Sequence, residues 1–310
     1  LIVLGNLIAQ VLIVVTGGLV RLTGSGLGCP TWPQCVPGSY VPVVEQAEGY
    51  HKYIEFGNRL LTGLVLATAI AVLVVVVGRV RAGRSRRLLV VGALPLVLVI
   101  GQALLGGVTV LLDLHPVTVA AHFLLSMGLI ATSTFVLIRL TQPDGPLTPA
   151  TRAEVRWLGL ALAGVGVVVL VLGTVVTGSG PHSGDADTPA RFGFDPRTVS
   201  WLHADAVMVF AGLAVGLVIA VRLAECPAQL RAAAVAVLVV TLVQGVLGYL
   251  QYFAGLPVGL VAAHMLGACL LTICLTLVVG HLWRRLPVQN VTAQNLRNGS
   301  SPTAMNSSVR

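Results

Sequence analysis

The chain has 310 residues, 56% of them hydrophobic and only 10% charged, and its mean hydropathy is +0.92. A soluble protein carries about 25% charged residues, so a water-solvated globular fold is excluded and the bilayer is the solvent. The formal charge of +8 does not indicate nucleic-acid binding, because the charges are sorted by loop, as membrane topology requires.

Uncharged runs cover 88–112, 117–138, 157–184 and 232–280. With about 20 apolar residues per crossing, the chain predicts eight transmembrane helices. These fall at roughly 1–20, 54–78, 88–112, 117–138, 157–176, 199–221, 232–253 and 257–281. The first is not read as a cleaved signal, since it runs straight into a motif that recurs later; a short tail is expected to precede Leu1. The loops at 79–87, 139–156 and 222–231 and the segment from 284 hold 14 Arg against 3 acids, whereas the opposite loops hold 5 basic residues against 8 acids. The positive-inside rule places the Arg-rich face and both termini in the cytoplasm. Trp157, Trp201 and Trp283 fall at helix ends, where interfacial Trp is expected.

Helix one runs into TGGLVRLTGSGLGCPTWPQC, residues 16–35, whose Gly and Pro stop the helix and build a compact outer loop. Cys29 and Cys35 lie on the outer side, where disulfides persist; a bridge between them is expected, with two free thiols as the alternative. Cys226, Cys269 and Cys274 read as unpaired packing residues. Helix two opens with HKYIEFGNRLLTG, residues 51–63. His51, Glu55 and Asn58 share one helical face, and Arg59 stands four residues after Glu55. This pair reads equally as an interfacial i,i+4 ion pair and as a carboxylate kept in the membrane for a function.

Helices three and four carry Gln102, Gly106 and VAAH ending at His122. The loop between them holds His115, read as solvated. The arrangement recurs: Gln244, Gly248 and a second VAAH ending at His264 have the same spacings, and TGSG occurs at 23–26 and 177–180. Such a repeat makes each half one copy of a unit. The fold expected is an all-α integral membrane protein of two pseudo-symmetric, parallel four-helix bundles, 1–140 and 157–283. A cytoplasmic linker spans 141–156, and a polar tail, 284–310, reads as disordered. The outer loop at 181–200 carries His182, Arg191 and Arg197, and helix six opens with WLHAD, placing His203 one turn inside the membrane. By spacing from the VAAH histidines, Asn58 is the counterpart of His203. The C-terminal half thus offers His203 and His264 on facing helices, and the N-terminal half His122 and Asn58. Two neutral imidazoles on facing helices suit axial ligation of heme iron. Zinc wants a third or fourth ligand, and Asp205 lies on another face; a proton relay would use more carboxylates within the helices.

With VRLTGSGLGCPTWPQC, IEFGNRL, GQALLGGVTV, HPVTVAAHF, TGSGPHSGD, LHAD and VAAHMLG, residues 1–283 resemble the heme A synthase family. Its members are membrane enzymes that oxidise a ring methyl of heme O to a formyl group for terminal oxidases. The resemblance implies a bacterial plasma-membrane protein with heme b held between His203 and His264, and with substrate heme in the N-terminal half on His122. It also implies an essential carboxylate at Glu55 and a disulfide at Cys29 and Cys35, with a heme O synthase as the upstream partner. One departure is specific: Asn58 stands where many members have His. Asn is a poor iron ligand, and His51, the other candidate on that face, lies about 10 Å away along the helix. Arg21, Arg59 and Arg191 are candidate partners for heme propionates. Two rival readings use the same pattern: a non-enzymatic diheme b-type electron-transfer protein, which needs neither Glu55 nor the cysteine pair, and a parallel-repeat transporter, which predicts broken helices near the midplane.

Overall fold

A computed structural model describes residues 1–182, 184–185 and 190–287. Eight helices account for nearly all of it: α1 (Ile2–Leu22), α2 (His51–Arg81), α3 (Arg87–Leu111), α4 (Pro116–Thr141), α5 (Ala153–Ser179), α6 (Pro196–Leu223), α7 (Ala228–Phe253) and α8 (Val258–His281). All eight are long and apolar enough to cross a membrane, so the protein is an all-α multi-pass membrane protein, as expected.

Most helices overrun their predicted ends. The windows read from hydropathy cover the hydrocarbon core alone, whereas the helices continue into the interface on residues such as Arg79 and Arg81, whose long stems reach headgroup level. Starts follow local chemistry. Pro196 and Pro116 occupy first-turn positions, where the missing N–H costs nothing. The Asp195 carboxylate accepts from the Thr198 N–H at 2.9 Å, and the His115 ring, exposed as expected, accepts from the Val117 N–H.

Within residues 1–141 each helix packs against the next and α4 returns to α1; within 153–281, α5 to α8 close in the same way. Helices α2 and α4 are therefore diagonal in one ring, and α6 and α8 in the other. The rings meet through α4 and α8, α1 and α8, and α4 and α5. At this seam Gly18 lies against Met265 so closely that a Cβ would collide with its thioether.

The segments assigned to linker and tail are partly ordered. Leu147–Pro149 (β1) pairs antiparallel with Trp283–Arg285 (β2), so Arg284 and Arg285 belong to a ribbon rather than to a disordered tail. The fully buried Leu282 fixes the chain just before β2. The remainder of the predicted tail, from 288, lies outside the described residues.

One carboxylate organises the Arg-rich end. Asp144 accepts from Arg84 Nε at 2.7 Å, from Arg139 Nη2 at 3.2 Å and from the Ser85 N–H at 2.8 Å. Its carboxyl is held down at about 2, chiefly by the Arg84 hydrogen bonds. Because this value lies below that of the free side chain, the stabilisation is complete above about pH 4 and lost as pH falls through 2. Asp144→Asn should lower the stability of the detergent-solubilised protein at pH 7 by about 1–3 kcal/mol. It should also remove the corresponding acid transition, both read from thermal melts across pH.

Candidate functional site

Three histidines, His122 on α4, His203 on α6 and His264 on α8, point into the helix rings. Each has a buried Nδ1 without a hydrogen-bond partner. An imidazole nitrogen unpaired in an apolar interior is costly, which makes these rings candidates for a ligand. The backbone of Val169 lies beside the His203 ring, short of a formed hydrogen bond to Nδ1. His203 and His264 stand on the diagonal helices α6 and α8 of the second ring. Asp205 is exposed, on another face of α6. Among the described residues no three His, Cys, Asp or Glu side chains converge as a metal site would require.

A glycine on the preceding helix makes room for each ring. A Cβ on Gly106 of α3 would stand 3.1 Å from His122 Cε1, one on Gly173 of α5 would be 3.4 Å from His203 Cε1, and one on Gly248 of α7 would be 3.7 Å from His264 Cε1. The fourth position follows the same plan: a Cβ on Gly17 of α1 would lie 3.5 Å from Asn58 Nδ2. Asn58 also accepts from Thr16 Oγ1 at 2.8 Å. A cavity of about 260 Å³ opens beside it between α1 and α2, lined by Thr16, Leu19, Val20, Ile54, Gly57, Asn58 and Leu61. The two repeated Gln residues differ in what they meet. Gln102 Nε2 donates to the His122 carbonyl at 2.7 Å and to Ser126 Oγ, while Gln244 presses against Gly267, where any Cβ would strike it.

Glu55 and Arg59 face the loop between α1 and α2, which Cys29 and Cys35 close with a disulfide. Glu55 Oε2 accepts from the Cys29 N–H at 2.6 Å, and Oε1 accepts from Arg59 Nη2 at 2.7 Å and Nε at 3.1 Å. Arg59 donates onward to the carbonyls of Cys29, Thr31 and Gln34. The pair is thus an i,i+4 ion pair whose remaining hydrogen bonds go to the loop backbone. Glu55 is the one acidic side chain buried among the described residues. Trp32, carried by this loop, lies flat against Gly107 at the outer end of α3.

His51 is engaged at the rim: its Nδ1 meets Ser25 Oγ at 2.7 Å, and Ser25 meets Thr23 Oγ1 at 2.8 Å. Arg21 donates to the Thr177 carbonyl at 2.7 Å, and its buried Nε has no partner. Arg191 donates to the Pro181 carbonyl at 3.2 Å and is exposed. The two TGSG segments do not form equivalent isolated turns: Gly26 N–H donates to Gly184 O at 2.9 Å, and Ser25 bridges to Asp185. Gly17, Gly173, Ser25 and Trp32 were not singled out by sequence, because their roles depend on what another segment brings against them.

The sequence model of the COX15-CtaA family, described as cytochrome oxidase assembly protein, matches residues 1–279. The chain belongs to this family. It is 30% identical over 151 residues to the heme A synthase of Geobacillus thermodenitrificans, covering 48% of this chain and 45% of that one. Against the heme A synthase of Lysinibacillus sphaericus it is 30% identical over 174 residues, 54% of each chain. Against that of Halalkalibacterium halodurans it is 32% identical over 158 residues, 50% of this chain and 51% of the relative. The chain spans about half the length of the curated relatives it matches. Membership of the COX15-CtaA family bears out the resemblance read from the motifs.

Arg59→Met should free the loop while leaving its disulfide in place. The rate at which dithiothreitol reduces Cys29–Cys35 in intact membranes, followed by maleimide–polyethylene glycol gel shift, should rise severalfold. An unchanged rate would mean that the guanidinium is not what holds the loop.

Proposed function

We propose that this protein is a heme A synthase of a bacterial plasma membrane, oxidising a ring methyl of heme O to a formyl group, with the Arg-rich end cytoplasmic. The observation that supports this most is the trio of half-buried histidines, each with a buried Nδ1 lacking a partner and a glycine beside its ring, in a COX15-CtaA chain whose relatives are named heme A synthases. His203 and His264, on diagonal helices, would hold a heme b, and the heme would supply one-electron transfer.

In the first ring His122 would bind the substrate iron. Gln102 would fix that ring through the His122 carbonyl, and Gly106 would give it room. Asn58 would line the opposite side without ligating, since its carboxamide oxygen is held by Thr16. His51, bonded to Ser25 at the rim, would act in closing the outer end rather than on iron. Arg21 has an open donor for a propionate; Arg59 is occupied by Glu55 and the loop, and Arg191 would serve only at the periphery.

With water as the oxygen donor, methyl-to-formyl conversion (R–CH3 + H2O → R–CHO + 4 H+ + 4 e−) would pass four electrons to an external one-electron acceptor and release four protons, and Glu55, the one acidic side chain buried among the described residues, would receive protons. It also holds the disulfide loop over the site, and substitutions separate the two roles. Glu55→Gln keeps an acceptor for the Cys29 N–H but removes the charge. Both Glu55→Ala and Glu55→Gln should abolish heme A formation when the protein is co-expressed with a heme O synthase, with the bound heme b spectrum retained. Mass spectrometry of extracted hemes reads the result. Heme O left untouched by the unsubstituted protein, with heme b present, would identify an electron-transfer cytochrome instead.

A further inference from the structure

The first helix ring contains two amide groups with unmet hydrogen-bonding capacity, and they lie on its other diagonal. Gln102, on α3, donates through Nε2 to the His122 carbonyl and to Ser126 Oγ. The orientation of this amide is determined, because a carbonyl only accepts, and the Ser126 hydroxyl is itself committed to the His122 carbonyl at 3.0 Å. That leaves Gln102 Oε1 buried and without a donor. Gln10, on α1, is 2% exposed, and its Nε2 is buried without an acceptor.

Gln10 belongs to the interior stripe of α1. Four residues before it, Asn6 donates to Thr68 of α2 at 3.0 Å and accepts from Ser133 of α4 at 3.2 Å; seven after it, Gly17 faces Asn58. The same four helices also bring Ala9, Val65, Ala69, Val99 and Leu129 together as an aliphatic cluster. An unmet donor and an unmet acceptor in such an interior are each destabilising. A single hydroxyl has the complementary pair of functions: it donates once and accepts.

We infer that Gln102 and Gln10 recognise a hydroxyl group on the substrate heme, Gln102 Oε1 accepting its proton and Gln10 Nε2 donating to its oxygen. The inference rests on the proposal that the first ring takes the substrate. Both residues are positioning residues, and they would give the ring a preference for a hydroxyl-bearing heme over one without. The hydroxyl has two possible sources: the hydroxyalkyl side chain that distinguishes heme O from heme B, or the hydroxymethyl group made when the ring methyl is first oxidised.

The test uses the full-length purified protein, already holding its second-half heme, titrated with heme O and with heme B by absorbance. Gln102→Met and Gln10→Met are compared with the unsubstituted protein. Each should reduce the heme O over heme B preference by about fivefold or more, the loss of one hydrogen bond, and Gln10→Met, which touches no group that would hold the iron, should leave heme B affinity within about twofold. If Gln102→Met also disturbs His122, both affinities fall together, and Gln10→Met, which does not touch His122, still reads the ratio. If the ratio holds but both variants release hydroxymethyl heme where the unsubstituted protein goes on to the formyl product, the hydroxyl held is that of the oxidised methyl. An unchanged ratio with unchanged products overturns the inference alone, and water then fills the two amides. Failure of the first half to bind either heme overturns the substrate reading as well.

Discussion

An imidazole inside an apolar four-helix ring needs space, and a neighbouring helix must give up a side chain to provide it. Gly106 does this for His122, whose Cε1 a Cβ would approach to 3.1 Å, whereas at Gly173, Gly248 and Gly17 a Cβ would stand in ordinary contact with His203, His264 and Asn58 and only a larger side chain would intrude. The cost is borne by the helices: glycine in a helix interior is about 1 kcal/mol worse than alanine. Long α-helices with every backbone group bonded internally tolerate that cost in lipid. Much of the rest serves the same arrangement, since Gln102 holds the His122 backbone and the rings close so that the His-bearing helices stand across from each other.

The two halves are alike in plan and unlike in chemistry. The second ring carries an imidazole on each of two diagonal helices, His203 on α6 and His264 on α8. The first offers one imidazole and a carboxamide already bonded to Thr16, with a cavity beside it and two amides whose bonding is incomplete. Above the first ring, the Glu55–Arg59 pair is embedded in a disulfide-closed loop. Desolvating a charge pair is repaid only when its remaining hydrogen bonds are met, and here the loop backbone meets them.

How much of this could be read in advance depended on whether a residue acts within its own helix or across to another. The eight spans follow from uncharged runs, and His122 and His264 from a four-residue repeat, because both signals are contiguous. The i,i+4 relation of Glu55 and Arg59 was equally visible. Its destination was not: a carboxylate bonded to the Cys29 N–H leaves no trace in side-chain patterning. Helix glycines are similarly silent, since Gly17 and Gly5 look alike in sequence, yet only Gly17 has a neighbour within reach of a Cβ. The β1–β2 ribbon joins residues about 136 apart, with no alternation long enough to announce a strand.

That ribbon has a consequence for biosynthesis. Chains are made from the N-terminus, so Leu147–Pro149 emerge with the first four helices behind them and no partner to pair with. Their partner, Trp283–Arg285, follows the eighth helix. Until then the connection between the halves is held at its start by Asp144 but open further along, leaving α5 to α8 free to find their places. The ribbon forms only once the second ring has its last helix. It is a latch that records completion: a chain released before 283 would leave two inserted halves whose link had never been fastened.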